Sequence, residues 1–289
     1  MSIASIQSKY PSAIWYDSNH GGTNSGTLDN PYTSLATAMT NASSGGVIAI
    51  LDGTHSEDTQ VTLPKSLTFV GESTAAILST SGSNYGGAIN ARTTAYSIKL
   101  ETLKVYHNST SATYGLIAGG STAGATVTVE GCILEMGPST LAAATNRGWF
   151  SGNNAPITSL TVSDSVILGG SSSALYGVVV GGDTQQDGFN ALDFQRNSIL
   201  VTGGSATKFS SYSTGIISST FKNNIFVGNG NSEVLGFTPS TASNNCYHNN
   251  GISSGSGGVV FADPQFVDFA NGDLRLRPTS PCIGAGTAS

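Results

Sequence analysis

The sequence predicts an all-β solenoid, a coil of parallel strands with three strands and one variable loop per turn. Composition is the first observation that predicts it. Only 38% of the 289 residues are hydrophobic and 10% are charged, while 37 are glycine. Gly, Ser, Thr, Asn and Ala fill most of the remainder, a mix poor in helix formers and rich in turn formers, which favours many short strands. The second observation is a repeated unit. SIKLETLKVY (97–106), TVTVEGCILEM (126–136), LTVSDSVILGG (160–170), ALDFQRNSILV (191–201) and STFKNNIFVG (219–228) each hold two apolar residues separated by one polar residue. A polar turn and a second apolar run follow. The third observation is asparagine at those turns: Asn197, Asn224 and Asn245 fall at matching positions.

The unit can be anchored on its second apolar residue: Phe69, Leu100, Val129, Val162, Phe194, Phe221 and Ala242. The intervals are then 31, 29, 33, 32, 27 and 21 residues. Such irregular spacing around a constant unit is what a solenoid shows when its variable loops gather at one corner. Strand side chains alternate between faces, so Ile98, Val127, Leu160 and Leu192 form a second inward row. Lys99, Thr128, Thr161, Asp193 and Thr220 point outward between the rows. Asparagine tolerates the left-handed turn conformation, and its amide can bond the same residue one turn away. The segments GWFSG (148–152), YGVVVGG (176–182) and TGIIS (214–218) read as third strands, each after a Gly/Ser/Ala loop.

Seventeen acidic residues against eleven basic ones give a net charge of −6, with no Lys/Arg block. That excludes a nucleic-acid surface. No apolar run nears the roughly 18 residues that span a bilayer. The opening MSIASIQSKYPSAIWYD lacks the basic and apolar regions of a secretory signal; the expectation is cytoplasmic synthesis, or a signal removed beforehand. Cys132, Cys246 and Cys282 cannot all pair with one another. They sit in strand-like runs and are expected as buried free thiols, with no metal-binding spacing.

With the rows in place, the chain resembles the right-handed parallel β-helix superfamily, typified by pectate lyases and phage tailspikes. The stretch WYDSNHGGTNSGTLDNPYTSLATAMTNASSGGVIAILDGTHSED resembles that superfamily's entry: a glycine-rich loop and Pro-Tyr, a short capping helix, then the first apolar strand. The helix falls at about 34–42 and would cover one end with Leu35, Ala38 and Met39. The terminal DPQFVDFANGDLRLRPTSPCIGAG resembles the segment that closes the last coil of many β-helical surface proteins. There Phe261, Phe266 and Phe269 would cover the core, and Leu274 and Leu276 would point inward. Arg275 and Arg277 would point outward, to pair with Asp268 or Asp273. The implied organisation is one domain, 1–289, with entry and cap at 1–46, coils at 47–261 and the closing segment at 262–289.

The resemblance is specific for fold and leaves function open, because sites are grafted onto such scaffolds independently. Lyases of the superfamily use clustered acids to hold calcium, and tailspike-type glycosidases use carboxylate pairs. The best cluster here is GGDTQQDGFNALDFQR, with Asp183 and Asp187 as candidate catalytic acids or a weak Ca2+ site. A polar loop with solvated acids is the plainer reading. Glu101 and Glu130 fall on adjacent turns of one outward row. Two carboxylates about 5 Å apart can raise one pKa, but Lys99 or Lys104 can neutralise them as a surface ladder. Four scattered histidines supply no metal triad, so no metal or cofactor is assigned. Trp149, Phe150, Tyr176, Phe189 and Tyr212 are candidates for carbohydrate contact, since aromatic rings stack on sugar faces. They serve equally for packing between helices.

The reading favours a non-enzymatic virion structural protein of a bacteriophage: a capsid decoration, fibre or small spike-like attachment protein. Its partners would be other virion proteins, host glycans and itself, as a homo-oligomer that the resemblance makes a trimer. The alternative is a polysaccharide lyase or glycoside hydrolase. A secreted or cell-surface adhesin is the third reading.

Overall fold

The computed structural model describes residues 1–57, 61–81, 88–90, 96–108, 117–118, 125–137, 150–151, 157–169, 189–201, 218–228, 239–249, 258–269 and 272–287. These form three parallel sheets. The first has nine strands, from Ile14–Tyr16 through Val47–Ile50, Leu67–Gly71 and Ile98–Glu101 to Thr241–Ser243. The second also has nine, from Gly53–Glu57 to Gly258–Val260, and the third has four short strands from Val61–Thr62 to Phe150–Ser151. From residue 47 to 169 the chain visits first, second and third sheet in rotation. Nine parallel strands at the usual spacing give each long sheet a width of about 40 Å.

The register reproduces the rows read from the sequence. Phe69, Leu100, Val129, Val162, Phe194, Phe221 and Ala242 lie side by side in the first sheet. Ile98, Val127, Leu160 and Leu192 form the second inward row, and all four are buried. The facing row of the second sheet runs His55, Leu78, Val105, Leu134, Ile167, Ile199, Phe226 and Tyr247. One apolar cluster joins these rows, and burying each large side chain contributes about 1.5–3 kcal/mol. Towards the C-terminal turns the core becomes aromatic. Phe194 stacks on Phe221 at 5.4 Å, and Phe226 on Tyr247 at 5.1 Å.

Between first and second sheets the chain turns on a single left-handed residue, repeated at Thr102, Gly131, Asp164, Arg196, Asn223 and Asn244 (φ 51–62°). Each is followed by a buried residue: Leu103, Cys132, Ser165, Asn197, Asn224 and Asn245. The last three stack as expected. Asn197 Nδ2 donates to Asn224 Oδ1 and Asn224 Nδ2 to Asn245 Oδ1, both at 3.1 Å. The same amides donate to the carbonyls of Val162, Phe194 and Phe221. Ser165 continues the ladder, its N–H donating to Asn197 Oδ1 and its hydroxyl accepting from Cys132 N–H. Buried polar groups need such partners, so the ladder fixes the stacking register.

Two helices lie near the N-terminus, one on each side of the strand Ile14–Tyr16. The expected capping helix is present as α2, Leu35–Asn41, with Ser34 at its N-cap accepting from Thr37 N–H. It buries Leu35, Ala38 and Met39 in the main core. The sequence reading missed α1, Ile3–Lys9, capped by Ser2. Ile6 of α1 is buried in a second, separate apolar cluster with Trp15, Ala49 and Val70. Val70 and Glu101 are register partners on the other face of the first sheet, so α1 covers a stretch of that sheet's outer face.

The closing segment corrects two expectations. Phe261 does stack on Tyr247, at 5.9 Å, extending the aromatic row. The strands Phe266–Asp268 and Asp273–Leu276, however, pair antiparallel with each other and join neither long sheet. Leu274 and Leu276 are only half-buried there and do not enter the core. Phe269 is 44% exposed. The chain then runs back along the turn corner: Asn244 Nδ2 donates to Ala285 O, while Asn223 and Thr287 exchange two hydrogen bonds. It behaves as a strap beside the last turns, because its polar backbone finds partners on that flank.

Candidate functional site

Four of the sequence-predicted positions, Glu101, Glu130, Phe150 and Phe189, can be judged against their surroundings directly. Glu101 and Glu130 are register partners, as expected, but they are not a matched surface pair. Glu101 is buried (2% exposed) beneath the end of α1. Lys9 Nζ and Tyr10 Oη donate to its two oxygens at 2.5 and 2.6 Å. Lys99 bridges Glu101 and Glu130 at 3.1 Å each, whereas Lys104 pairs with Glu135. Burial pushes the Glu101 carboxyl up, but the hydrogen bonds from Lys9, Tyr10 and Lys99 outweigh it and leave the group below the usual carboxylate range. The result is a carboxylate, charged at neutral pH, that pins α1.

Phe150 and Phe189 are also corrected. Both rings are buried, at 0% and 3% exposure, and belong to the core cluster, with Phe150 edge-on to Phe194. They follow the inward alternation of their strands and present no face to a sugar. Asp183, Asp187, Trp149, Tyr176 and Tyr212 lie outside the described residues.

Two further acids of the described turns have side-chain partners. Arg196 donates Nε and Nη2 to the two oxygens of Asp164 at 2.7 Å, one turn away. Gln195 donates to Asp193. A Ser18–His55 contact also occurs near the N-terminus: His55 Nδ1 accepts from Ser18 N–H and lies 3.0 Å from its hydroxyl, while Nε2 lies 2.8 Å from Leu51 O. His55 is fully buried, and its hydrogen bonds are those of a core histidine holding the loop that follows the strand Ile14–Tyr16. Among the described residues no group of three or more His, Cys, Asp and Glu side chains is placed to hold a metal ion.

Among the described residues, a cavity of about 350 Å3 lies at the C-terminal strap. One wall is Val227, Gly228, His248 and Asn249, at the ends of the last second-sheet strands. The other is the Asp263–Phe266 stretch with Phe269 and Arg277. Local chemistry shapes that second wall. Asp263 Oδ1 accepts from Gln265 N–H, and Gln265 takes the left-handed conformation (φ 55°). Arg277 N–H donates to Gln265 O and its guanidinium to Val267 O, tying the two arms together. Phe266 and Phe269 stack at 6.0 Å on the apolar side. The cavity thus joins a carboxylate, an imidazole, a guanidinium, two carboxamides and an aromatic face. The sequence reading had placed Asp263, Phe266, Phe269 and Arg277 in the closing segment, as parts of a lid, and gave no role there to His248 or Asn249. A pocket made by chain return leaves no periodic trace in sequence.

No family model matches the chain, and no curated protein matches it either.

Proposed function

We propose that the chain is a non-catalytic structural and attachment protein of a bacteriophage particle, built as a single right-handed parallel β-helix. Rotation of the chain through three parallel sheets supports the closed coil, and parallel crossovers are right-handed in about 98% of cases. The observation that carries the non-catalytic reading is the engagement of acids along the sheets. Glu101, Asp164 and Glu135 each bond a basic side chain across adjacent elements. Carboxylates so held serve as rivets and are poorly placed to exchange protons with a substrate. The strap pocket, with Phe269 exposed beside Arg277, Asn249 and Asp263, is where a host glycan would make contact. Self-association, as a trimer, and contacts with other virion proteins belong to the same proposal.

A second reading, a polysaccharide lyase or glycoside hydrolase, rests on that pocket, which brings Asp263 and His248 together as acid–base groups. Two measurements separate the readings. Quantitative mass spectrometry of purified particles should find the protein at a fixed, stoichiometric copy number. A panel of acidic polysaccharides, followed for unsaturated or reducing ends, should show no turnover. Turnover abolished by Asp263→Ala would replace the structural reading with the enzymatic one.

A further inference from the structure

Among the described residues, the left-handed backbone conformation at non-glycine positions has two origins. Thr102, Asp164, Arg196, Asn223 and Asn244 are the repeated corner between first and second sheets. Asn249 (φ 50°) and Gln265 (φ 55°) fall outside that repeat, and both line the strap cavity, one on each wall. Such backbone persists only where its surroundings hold it, and it gathers at ligand sites. Here the holding bonds are explicit. Asn249 Nδ2 donates to Gly228 O. Gln265 N–H donates to Asp263 Oδ1, its carbonyl accepts from Arg277 N–H, and its Oε1 accepts from Thr279 Oγ1.

Those bonds leave polar atoms of the lining residues without a partner among the described residues. They are the second oxygen of Asp263, Nε2 of Gln265, and Nε and Nη1 of Arg277, whose Nη2 is engaged by Val267 O. A carboxylate only accepts hydrogen bonds and a guanidinium only donates them. A hydroxyl does both, so a pair of adjacent hydroxyls serves Asp263 and Arg277 without bringing a charge. Phe269, 44% exposed and stacked on Phe266, presents an apolar face to the C–H side of a ring. The cavity of about 350 Å3 lies at the small end of the range for small-molecule sites, about 300–1,000 Å3. It suits the end of a glycan rather than the length of a chain.

We propose that the strap cavity binds the terminal residue of a neutral glycan, a hexopyranose carrying no carboxylate, phosphate or amine. Its ring lies on Phe269 and its adjacent hydroxyls are shared between Asp263 and Arg277. This rests on the glycan-attachment reading of the same cavity and adds the class of sugar. An acidic sugar would set its carboxylate beside Asp263, in a chain of net charge −6. An amino sugar would set its ammonium beside Arg277. Like charges at such range repel.

The test titrates the full chain with methyl galactoside, methyl glucoside and methyl mannoside, and with galacturonate and glucosamine, by saturation-transfer NMR. At least one neutral glycoside should bind, and the charged sugars should bind at least about tenfold more weakly. High salt should leave neutral binding unchanged, since no ion pair forms. Asp263→Asn keeps an oxygen for Gln265 N–H but replaces the other acceptor with a donor, and should weaken binding about tenfold or more. Phe269→Leu keeps an apolar cover, removes the ring face and should also weaken binding. Both positions are exposed, so both variants should keep the parent melting temperature. Preferential, salt-sensitive binding of galacturonate overturns the proposal and leaves the attachment reading standing. Neutral binding untouched by both substitutions overturns it too, because the sugar would then sit elsewhere. If no monosaccharide binds, the proposal falls, and an array of intact host polysaccharides decides whether the attachment reading falls with it.

Discussion

Tyr10 donates its phenol proton to Glu101 Oε2 at 2.6 Å, joining the end of α1 to a strand 91 residues further along the chain. Lys9 holds the other oxygen. Together they seat α1 over Trp15, Ala49 and Val70, an apolar patch on the outer face of the first sheet. A seven-residue helix is marginal by itself, so its stability comes from this docking.

Glu101→Gln should therefore loosen α1 and cost about 1.5–3 kcal/mol, the range for hydrogen bonds to charged groups. Urea unfolding in a Trp149→Phe background, followed by Trp15 fluorescence, checks it. An unchanged midpoint would show that apolar contact alone docks the helix.

Acid should do the same to the native chain. Glu101 is held below its ordinary pKa, so its contribution is fully present above the unfolded value of about 4.3. It is lost as pH falls through the lower folded value. Trp15 fluorescence should begin to report undocking below about pH 4, and Glu101→Gln should flatten that part of the profile.

The asparagine ladder makes a second prediction. Asn224→Ala leaves Asn197 N–H and Phe194 O without their side-chain partners in a dry turn. Unsatisfied buried groups cost about 1–3 kcal/mol each, so a loss near 3 kcal/mol is expected in denaturant melts. Asn223→Ala, one residue earlier, loses only its strap contacts with Thr287 and a favourable left-handed residue. It should cost clearly less. Equal losses would mean that the buried amides do not set the register.

Thr102 offers a gain. It is β-branched yet sits at φ 53°, where its equivalents are Gly131, Asp164, Arg196, Asn223 and Asn244, none of them β-branched. Left-handed geometry strains ordinary L-residues by roughly 1–2 kcal/mol, and asparagine bears it better. Thr102→Asn should raise stability by up to about 1 kcal/mol, read as a higher melting temperature. A lower one would show that the threonine methyl packs usefully there.

Much of the scaffold was legible before any coordinates. The anchor row from Phe69 to Ala242, the stack of Asn197, Asn224 and Asn245, and the cap of Leu35, Ala38 and Met39 follow from local rules. Alternation sets which side chains face inward, and parallel in-register stacking places like residues on like. Equivalent positions therefore carry equivalent chemistry, and repetition makes them visible.

What the tertiary structure decided lies outside those rows. Glu101 and Glu130 occupy equivalent positions, yet one is buried under α1 and the other is not, because α1 covers only the first few strands. Phe150 and Phe189 looked like loop-side aromatics, but strand direction turned them into the core. Asp263, Arg277 and Phe269 line a cavity because the strap returns along the flank instead of across the end. Periodicity encodes how each turn stacks on the next. It carries no information about which flank a non-repeating segment chooses, since that depends on side chains distant in sequence finding partners in space.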